Sequence, residues 1–192
     1  MLGAQSTGVN LDSESTLAIP PPADRLHSHT PGCKDGGMDT AKLNSEIEAF
    51  LAAHHVVSLA TTDDDGAPHA ACVMYALDGL KLYWMSDPES RHSRHIGARP
   101  RVTATVAPDY ADFREIRGLQ LFGGARRLSG AEAIAAARRM VSRYGFLASL
   151  ASGPAALRAA YEAAGFYCLA PERITLIDNT LGFGHKETLE LP

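Results

Sequence analysis

Several features that announce common protein classes are scarce or missing in this chain of 192 residues. It has only three cysteines, Cys33, Cys72 and Cys168. The number is odd, the spacings are wide and no Cys-x-x-Cys pair occurs, so neither a structural zinc site nor a disulfide scaffold is indicated, and a reducing, cytoplasmic home is expected. There is no run of about 18 apolar residues to cross a membrane. The N-terminal stretch lacks a basic segment followed by an apolar core, so no secretory signal is expected. No Gly-x-Gly-x-x-Gly follows a strand pattern and no Walker-type lysine loop is present, which removes the main support for dinucleotide and nucleotide-triphosphate folds. Excess charge is also lacking: 18 basic residues face 22 acidic ones, for a formal net charge of −4. Such a chain has no global field for nucleic acid or an anionic membrane, and no strand interleaves basic and aromatic residues as a nucleic-acid-binding barrel would. Any anion site must therefore be local.

What is present describes one ordinary domain. Hydrophobic residues make up 45% and charged residues 21%, enough to bury a core. Residues 1–37 are rich in Ser, Pro, Gly and Asp, include Pro20-Pro21-Pro22 and lack periodicity, so they are read as a disordered tail. His27, His29 and Cys33 within it have metal-ligating chemistry, but no fourth ligand or second cluster accompanies them. The folded domain is expected over 38–192, with Met38 a candidate natural start.

Within that domain Thr40 is a plausible N-cap for a helix whose apolar face is Leu43, Ile47, Phe50 and Leu51. Val56–Thr62 reads as a strand, Asp63 to Gly66 as a turn, Pro68–Leu77 as the returning strand, Asp78-Gly79 as a second hairpin and Leu80–Met85 as a third strand. Asp87-Pro88-Glu89 has the form of a helix start: a capping acid, proline at the first helical position, a second acid in the first turn. Arg101–Ala107 and Ile116–Leu128 follow as strands, the latter with a bulge expected at Gly123-Gly124. Ser129 and Glu132 form a capping-box pattern for a helix to Tyr144, and Pro154–Ala164 is a further helix. Phe166–Asp178 and Lys186–Leu191 complete the strands. Many short strands joined by hairpins, with a few inserted helices, argue for a small barrel of six to seven antiparallel strands with peripheral helices, an α+β fold that is mainly β.

The densest chemistry lies between Ser86 and His95, in the run Ser-Asp-Pro-Glu-Ser-Arg-His-Ser-Arg-His. Backbone N–H groups at a helix start attract anions. Arg91 can fork onto a phosphate, and Ser86, Ser90 and His92 add hydrogen bonds. Asp87 counts against such a site, since a capping carboxylate would compete for the same N–H groups. An ordinary solvated basic helix is the alternative.

This order of elements resembles the pyridoxamine 5′-phosphate oxidase-like FMN-binding split barrels. The likeness rests on the Gly turn, the Pro68-His69 strand, the aromatic third strand, Ser90-Arg91-His92 and Arg99-Pro-Arg-Val-Thr-Ala-Thr-Val106. The stretch Asp178-Asn-Thr-Leu-Gly-Phe-Gly184 and the segment Ile116–Gln120 are similar to a bacterial branch of that superfamily. The resemblance implies a homodimer with FMN in clefts between subunits. It places Ala71, Cys72, Val73, Met74 and Tyr75 along the ring edge, largely through backbone groups. Ser86, Ser90, Arg91 and His92 would hold phosphate and ribityl oxygens, and Gln120 would reach in from the partner subunit. His185 and Lys186 are the candidates to orient a substrate or move a proton.

Departures from the oxidase pattern bear on the substrate. Its Ser-Arg-Lys reads Ser90-Arg91-His92 here, its cofactor-holding Arg and Lys fall near Ala71 and Ala76, and its Arg-x-His is Phe183-Gly184-His185. Without a bidentate Arg for the substrate phosphate, pyridoxamine phosphate is not the expected substrate. The expected activity is an FMN-dependent oxidoreductase acting on another small molecule or electron donor. The alternative is a non-catalytic protein holding flavin or haem, the latter through His92, His95 or His185. Other residues have simpler roles: His54 and His55 close the first helix, Tyr83 and Trp84 are core or dimer contacts, Cys72 is a small packed residue, and Arg138, Arg139 and Arg143 form a solvated basic face.

Overall fold

The first helical segment holds its apolar residues at i, i+4, i+7 and i+8, and these four residues are what it buries. In a computed structural model, which describes residues 38–150 and 153–192, α1 spans Thr40–Ala53 with Leu43, Ile47, Phe50 and Leu51 turned inward. Its N-cap is Asp39 rather than Thr40. The expected tail, with His27, His29 and Cys33, lies outside the described residues.

The strands are β1 (Val56–Thr62), β2 (Pro68–Met74), β3 (Ala76–Asp78), β4 (Lys81–Ser86), β5 (Arg101–Val106), β6 (Arg117–Arg127), β7 (Gly165–Asp178) and β8 (Lys186–Glu190). Between them lie α2 (Arg91–Ala98), α3 (Gly130–Arg143), α4 (Phe146–Leu150) and α5 (Ala155–Ala163). The strands form one antiparallel sheet in the order β2-β1-β5-β6-β7-β4-β3, with β8 paired to β7. β1 and β5 alternate exposed and buried residues along their length, so one face of the sheet makes the core. That core gathers Leu59, Leu82, Trp84, Leu121, Ile174 and Leu176 against Ile47 and Leu51 of α1 and Ile96 of α2.

The returning strand expected over Pro68–Leu77 is two strands, β2 and β3, which stand at opposite ends of the sheet order. One bent segment thus pairs with β1 on one side and with β4 on the other, and this curls the sheet into a split barrel. The bend falls at Tyr75. Its N–H donates to the His55 carbonyl at 3.2 Å, its ring is fully buried, and its hydroxyl donates to the Leu51 carbonyl at 2.8 Å.

Three further expectations are corrected. Asp87 does not cap a helix: its Oδ1 accepts from the Glu89 N–H at 2.8 Å, forming a turn, and α2 begins only at Arg91 with Ser90 as N-cap. The Ser129/Glu132 capping box does not close, because Glu132 pairs with Arg126 across from β6. The basic face of α3 is not simply solvated. Arg139 pairs with Asp78, and Arg143 donates to the carbonyls of Ala52 and His54, capping the C-terminus of α1.

The bulge expected in β6 occurs between Phe122 and Gly123. A Cβ on Gly123 would lie 2.2 Å from the Ala170 carbonyl oxygen and 2.7 Å from Pro171 Cα, whereas a Cβ on Gly124 would meet nothing within 4 Å. Gly123→Ala is therefore expected to cost about 3 kcal/mol or more by forcing β6 and β7 apart, while Gly124→Ala leaves stability nearly unchanged. Denaturant midpoints of the two variants check this; equal midpoints would contradict it.

Candidate functional site

β2 lies at one end of the sheet order, with β1 as its strand neighbour, so alternate peptide groups along its outer side face away from β1. A cavity of about 350 Å³ abuts that edge. Cys72, Val73 and Met74 all line it. Side chains of consecutive strand residues alternate sides, so three in a row lining one cavity means that the cavity runs along the strand edge, where backbone groups are presented. Met85 and Ser86 at the end of β4 and His92 of α2 form its far end, and Met140, Tyr144, Phe146 and Leu147 form the remaining wall.

At the polar end, His92 Nε2 lies 2.9 Å from Ser86 Oγ and 3.2 Å from Ser90 Oγ, and the Ser90 hydroxyl donates to Ser93 Oγ at 2.8 Å. The first intrahelical bond of α2 is from Arg94 N–H to the Ser90 carbonyl at 3.1 Å. The N–H groups of Arg91, His92 and Ser93 therefore have no acceptor within the helix, and no side chain caps them. Because Asp87 is engaged in the preceding turn, the competition expected from its carboxylate does not arise. Arg94 bonds the Glu89 carbonyl and Arg99 bonds Asp64, but the exposed guanidinium of Arg91 has no ion pair or hydrogen bond among the described residues. Open N–H groups, two hydroxyls, an imidazole and one uncommitted guanidinium make a donor set fit for a phosphate ester. The Val73–Met85 end is fit for a flat apolar ring.

The structure thus brings Cys72, Val73, Met74, Ser86, Ser90 and His92 together, with Arg91 at the helix start beside them. Ala71 is on the same strand but does not line the cavity, and the side chain of Tyr75 points into the core. Cys72 is exposed, contrary to its expected packing, with Sγ 3.6 Å from Ser58 Oγ. Gln120 and Lys186 are elsewhere: both line a groove of about 670 Å³ on the outward face of the sheet. There the register aligns Cys72, Ser58, Thr105, Gln120, Thr175 and Thr188 in one row of small and polar residues across six strands. His185 sits in the loop before β8, its N–H bonded to the Gly182 carbonyl at 3.0 Å and its Nε2 3.2 Å from Glu187 Oε1 without hydrogen-bond alignment. That loop is held from Asp178, whose carboxylate accepts from Thr180 and from Arg117.

Two parts of the site were missed in the sequence. The wall made by the end of α3 and by α4 depends on packing between distant segments. His69 lies beside the polar end, with its ring centroid 6.5 Å from that of His92 and 5.8 Å from that of His95. The alternation in β2 could have placed His69 on the same side as Val73.

With this geometry in place, comparison with known proteins assigns the family. A family model described as pyridoxamine 5′-phosphate oxidase matches residues 43–177. The chain belongs to this family. A relative in it is a UPF0306 protein of Klebsiella pneumoniae (strain 342), 34% identical over 141 residues that cover 73% of this chain and 88% of that protein. Among solved structures, a haem-binding protein from Mycobacterium smegmatis superposes with a TM-score of 0.62 at 20% identity, over 77% of this chain but only 57% of its own length. HutZ, the haem storage protein from Vibrio cholerae, superposes with a TM-score of 0.55 at 17% identity, over 67% of this chain and 89% of its own length. At these identities the two structures establish the shared fold.

The histidine at the polar end has a measurable consequence. Burial, then the neighbouring His69 and His95, hold the His92 imidazole below its usual range. Protonation is thus easier in the unfolded chain than in the folded one, so stability is fully present above about pH 6.5 and falls as the pH drops below it. His92→Gln should flatten the decline of melting temperature between neutral and mildly acid pH. An identical decline in the variant would place its origin in other groups.

Proposed function

We propose that this protein is an FMN-binding flavoprotein that acts as an oxidoreductase, with the β2–α2 cavity as its cofactor site. The observation that carries this reading is the start of α2, where Ser86, Ser90 and His92 meet beside open N–H groups at the end of an apolar cavity along a strand edge, with the uncommitted Arg91 as the first residue of the helix. Arg91 and the helix N–H groups would hold the phosphate, Ser86 and Ser90 the neighbouring hydroxyls, and the outer backbone groups of β2 the ring edge. When bound, a flavin supplies one- and two-electron transfer. The chain's own part is to orient it, shield it from water and admit a small-molecule donor or acceptor.

The active form in this reading is a homodimer in the cytoplasm, built from the 38–192 domain. A two-fold contact through the polar sheet face would set Gln120 and Lys186 of one subunit against the open cavity of the other. His185 and Lys186 would act at that junction. Among the described residues no helix is long and apolar enough to cross a membrane. The oxidase's Arg-x-His is Phe183-Gly184-His185 here, without the Arg that would grip a substrate phosphate, which argues for a substrate other than pyridoxamine phosphate.

A second reading, haem binding without catalysis, is favoured by the cluster of His69, His92 and His95 and by the haem-binding names of two structural neighbours. The absorption spectrum of the freshly purified protein separates the two. Flavin bands with released FMN support the first reading, a Soret band supports the second, and a colourless protein that fails to bind added FMN overturns the first. Arg91→Ala is expected to weaken FMN binding about 30-fold, or about 2 kcal/mol, measured by quenching of flavin fluorescence; undiminished affinity would place the phosphate elsewhere.

A further inference from the structure

Beneath α3 lies a second cavity of about 510 Å³ that shares no residue with the β2–α2 cavity. Its floor is the outward face of three adjacent strands. The register sets Arg126 of β6 opposite Cys168 of β7, and Cys168 opposite Tyr83 of β4. Its roof is α3, through Glu132, Ala135 and Arg139. Three cations line the cavity, and two are already engaged. Arg126 bonds both oxygens of Glu132, and Arg139 pairs with Asp78 while lying over the Tyr83 ring, 5.3 Å from its centroid. The third, the ammonium of Lys81, has no ion pair or hydrogen bond among the described residues. The cavity therefore keeps one positive charge in excess, the Lys81 ammonium, which has only the through-space pull of Glu132, beside a surface made of the Tyr83 ring, the buried Cys168 and small side chains.

A glycine points to a guest. Gly124 lies on the same face of β6 as Arg126 and lines the cavity. Its backbone is not in the left-handed region, and a Cβ there would meet no atom within 4 Å. Neither the fold nor the local backbone requires glycine at this position, unlike at Gly123 next to it. The missing side chain leaves open space in the cavity that a larger apolar residue would occupy.

We propose that this cavity is a second ligand site, separate from the flavin site, for a small organic monoanion of the aromatic carboxylate class. One free charge on a flexible stem matches one carboxylate. A dianionic phosphate would find only one uncommitted cation and would meet Glu132 as well. The apolar floor takes the body of the ligand, and the volume is that of an ordinary small-molecule site.

The test is a fluorine NMR titration of the full chain with para-trifluoromethylbenzoate, with the neutral para-trifluoromethylbenzamide as its isostere. The expected result is saturable binding of the benzoate, at least about tenfold weaker binding of the amide, and the same tenfold loss in Gly124→Leu and in Lys81→Gln. Arg91→Ala should bind the benzoate as the parent protein does, which keeps this result independent of the flavin reading. Lys81→Gln changes an exposed residue and supplies the answer if the bulkier Gly124→Leu fails to fold. Absence of saturable binding, equal binding of the amide, or undiminished binding in Lys81→Gln would each overturn the proposal.

Discussion

Burying a tyrosine at the corner of a bent strand is the constraint from which the rest of the molecule follows. Tyr75 satisfies every polar group it takes from water. Its N–H goes to His55, its hydroxyl to Leu51, and its carbonyl accepts from the Tyr144 hydroxyl at 2.6 Å. Burial holds its own hydroxyl far above the ordinary phenol range, so it stays a neutral donor. Arg143 lies over the same ring at 5.3 Å and collects the carbonyls at the end of α1. A single knot of hydrogen bonds thus fixes the end of α1, the bend between β2 and β3 and the end of α3. The last two are what give the candidate cofactor cavity its edge and its wall.

This arrangement explains why the site is assembled from pieces that look unremarkable alone. The β2 edge is available because its chain leaves the sheet at Tyr75 to pair with β4 instead of continuing beside β1. The start of α2 is available because Asp87 and Pro88 make a turn that delays the helix to Arg91. Both features leave backbone groups without partners among the described residues, and both border the same cavity, through Cys72–Met74 and through His92.

Much of this was legible in the sequence wherever the cause was local. The alternation of Val56–Thr62, the apolar face of α1, the turn at Gly66 and the bulge at Gly123 were readable because each follows from neighbouring residues. The misreadings share a different origin. Pro68–Leu77 has an unbroken strand pattern, and only the change of partner at Tyr75 divides it. Ser129 and Glu132 have capping spacing, but Arg126 on the adjacent strand claims the carboxylate. Arg143 is a plausible surface charge until α1 is placed beside it. The site was legible at Ser86, Ser90, Arg91 and His92, which are close in sequence, and illegible at Met140, Tyr144 and Phe146, which reach the cavity only through tertiary packing.

The position of β7 also sets a timetable. This strand lies between β6 and β4 and carries β8 as well, so it joins the two halves of the sheet although it follows the strands of both halves in the chain. Before residues 165–178 emerge, the pairs β1–β2 and β3–β4 can form as local hairpins, but Leu82 and Trp84 on one side and Leu119 and Leu121 on the other have no shared neighbour to close them into a core. The apolar inner face is therefore closed through β7, and its collapse depends on contacts of long sequence separation.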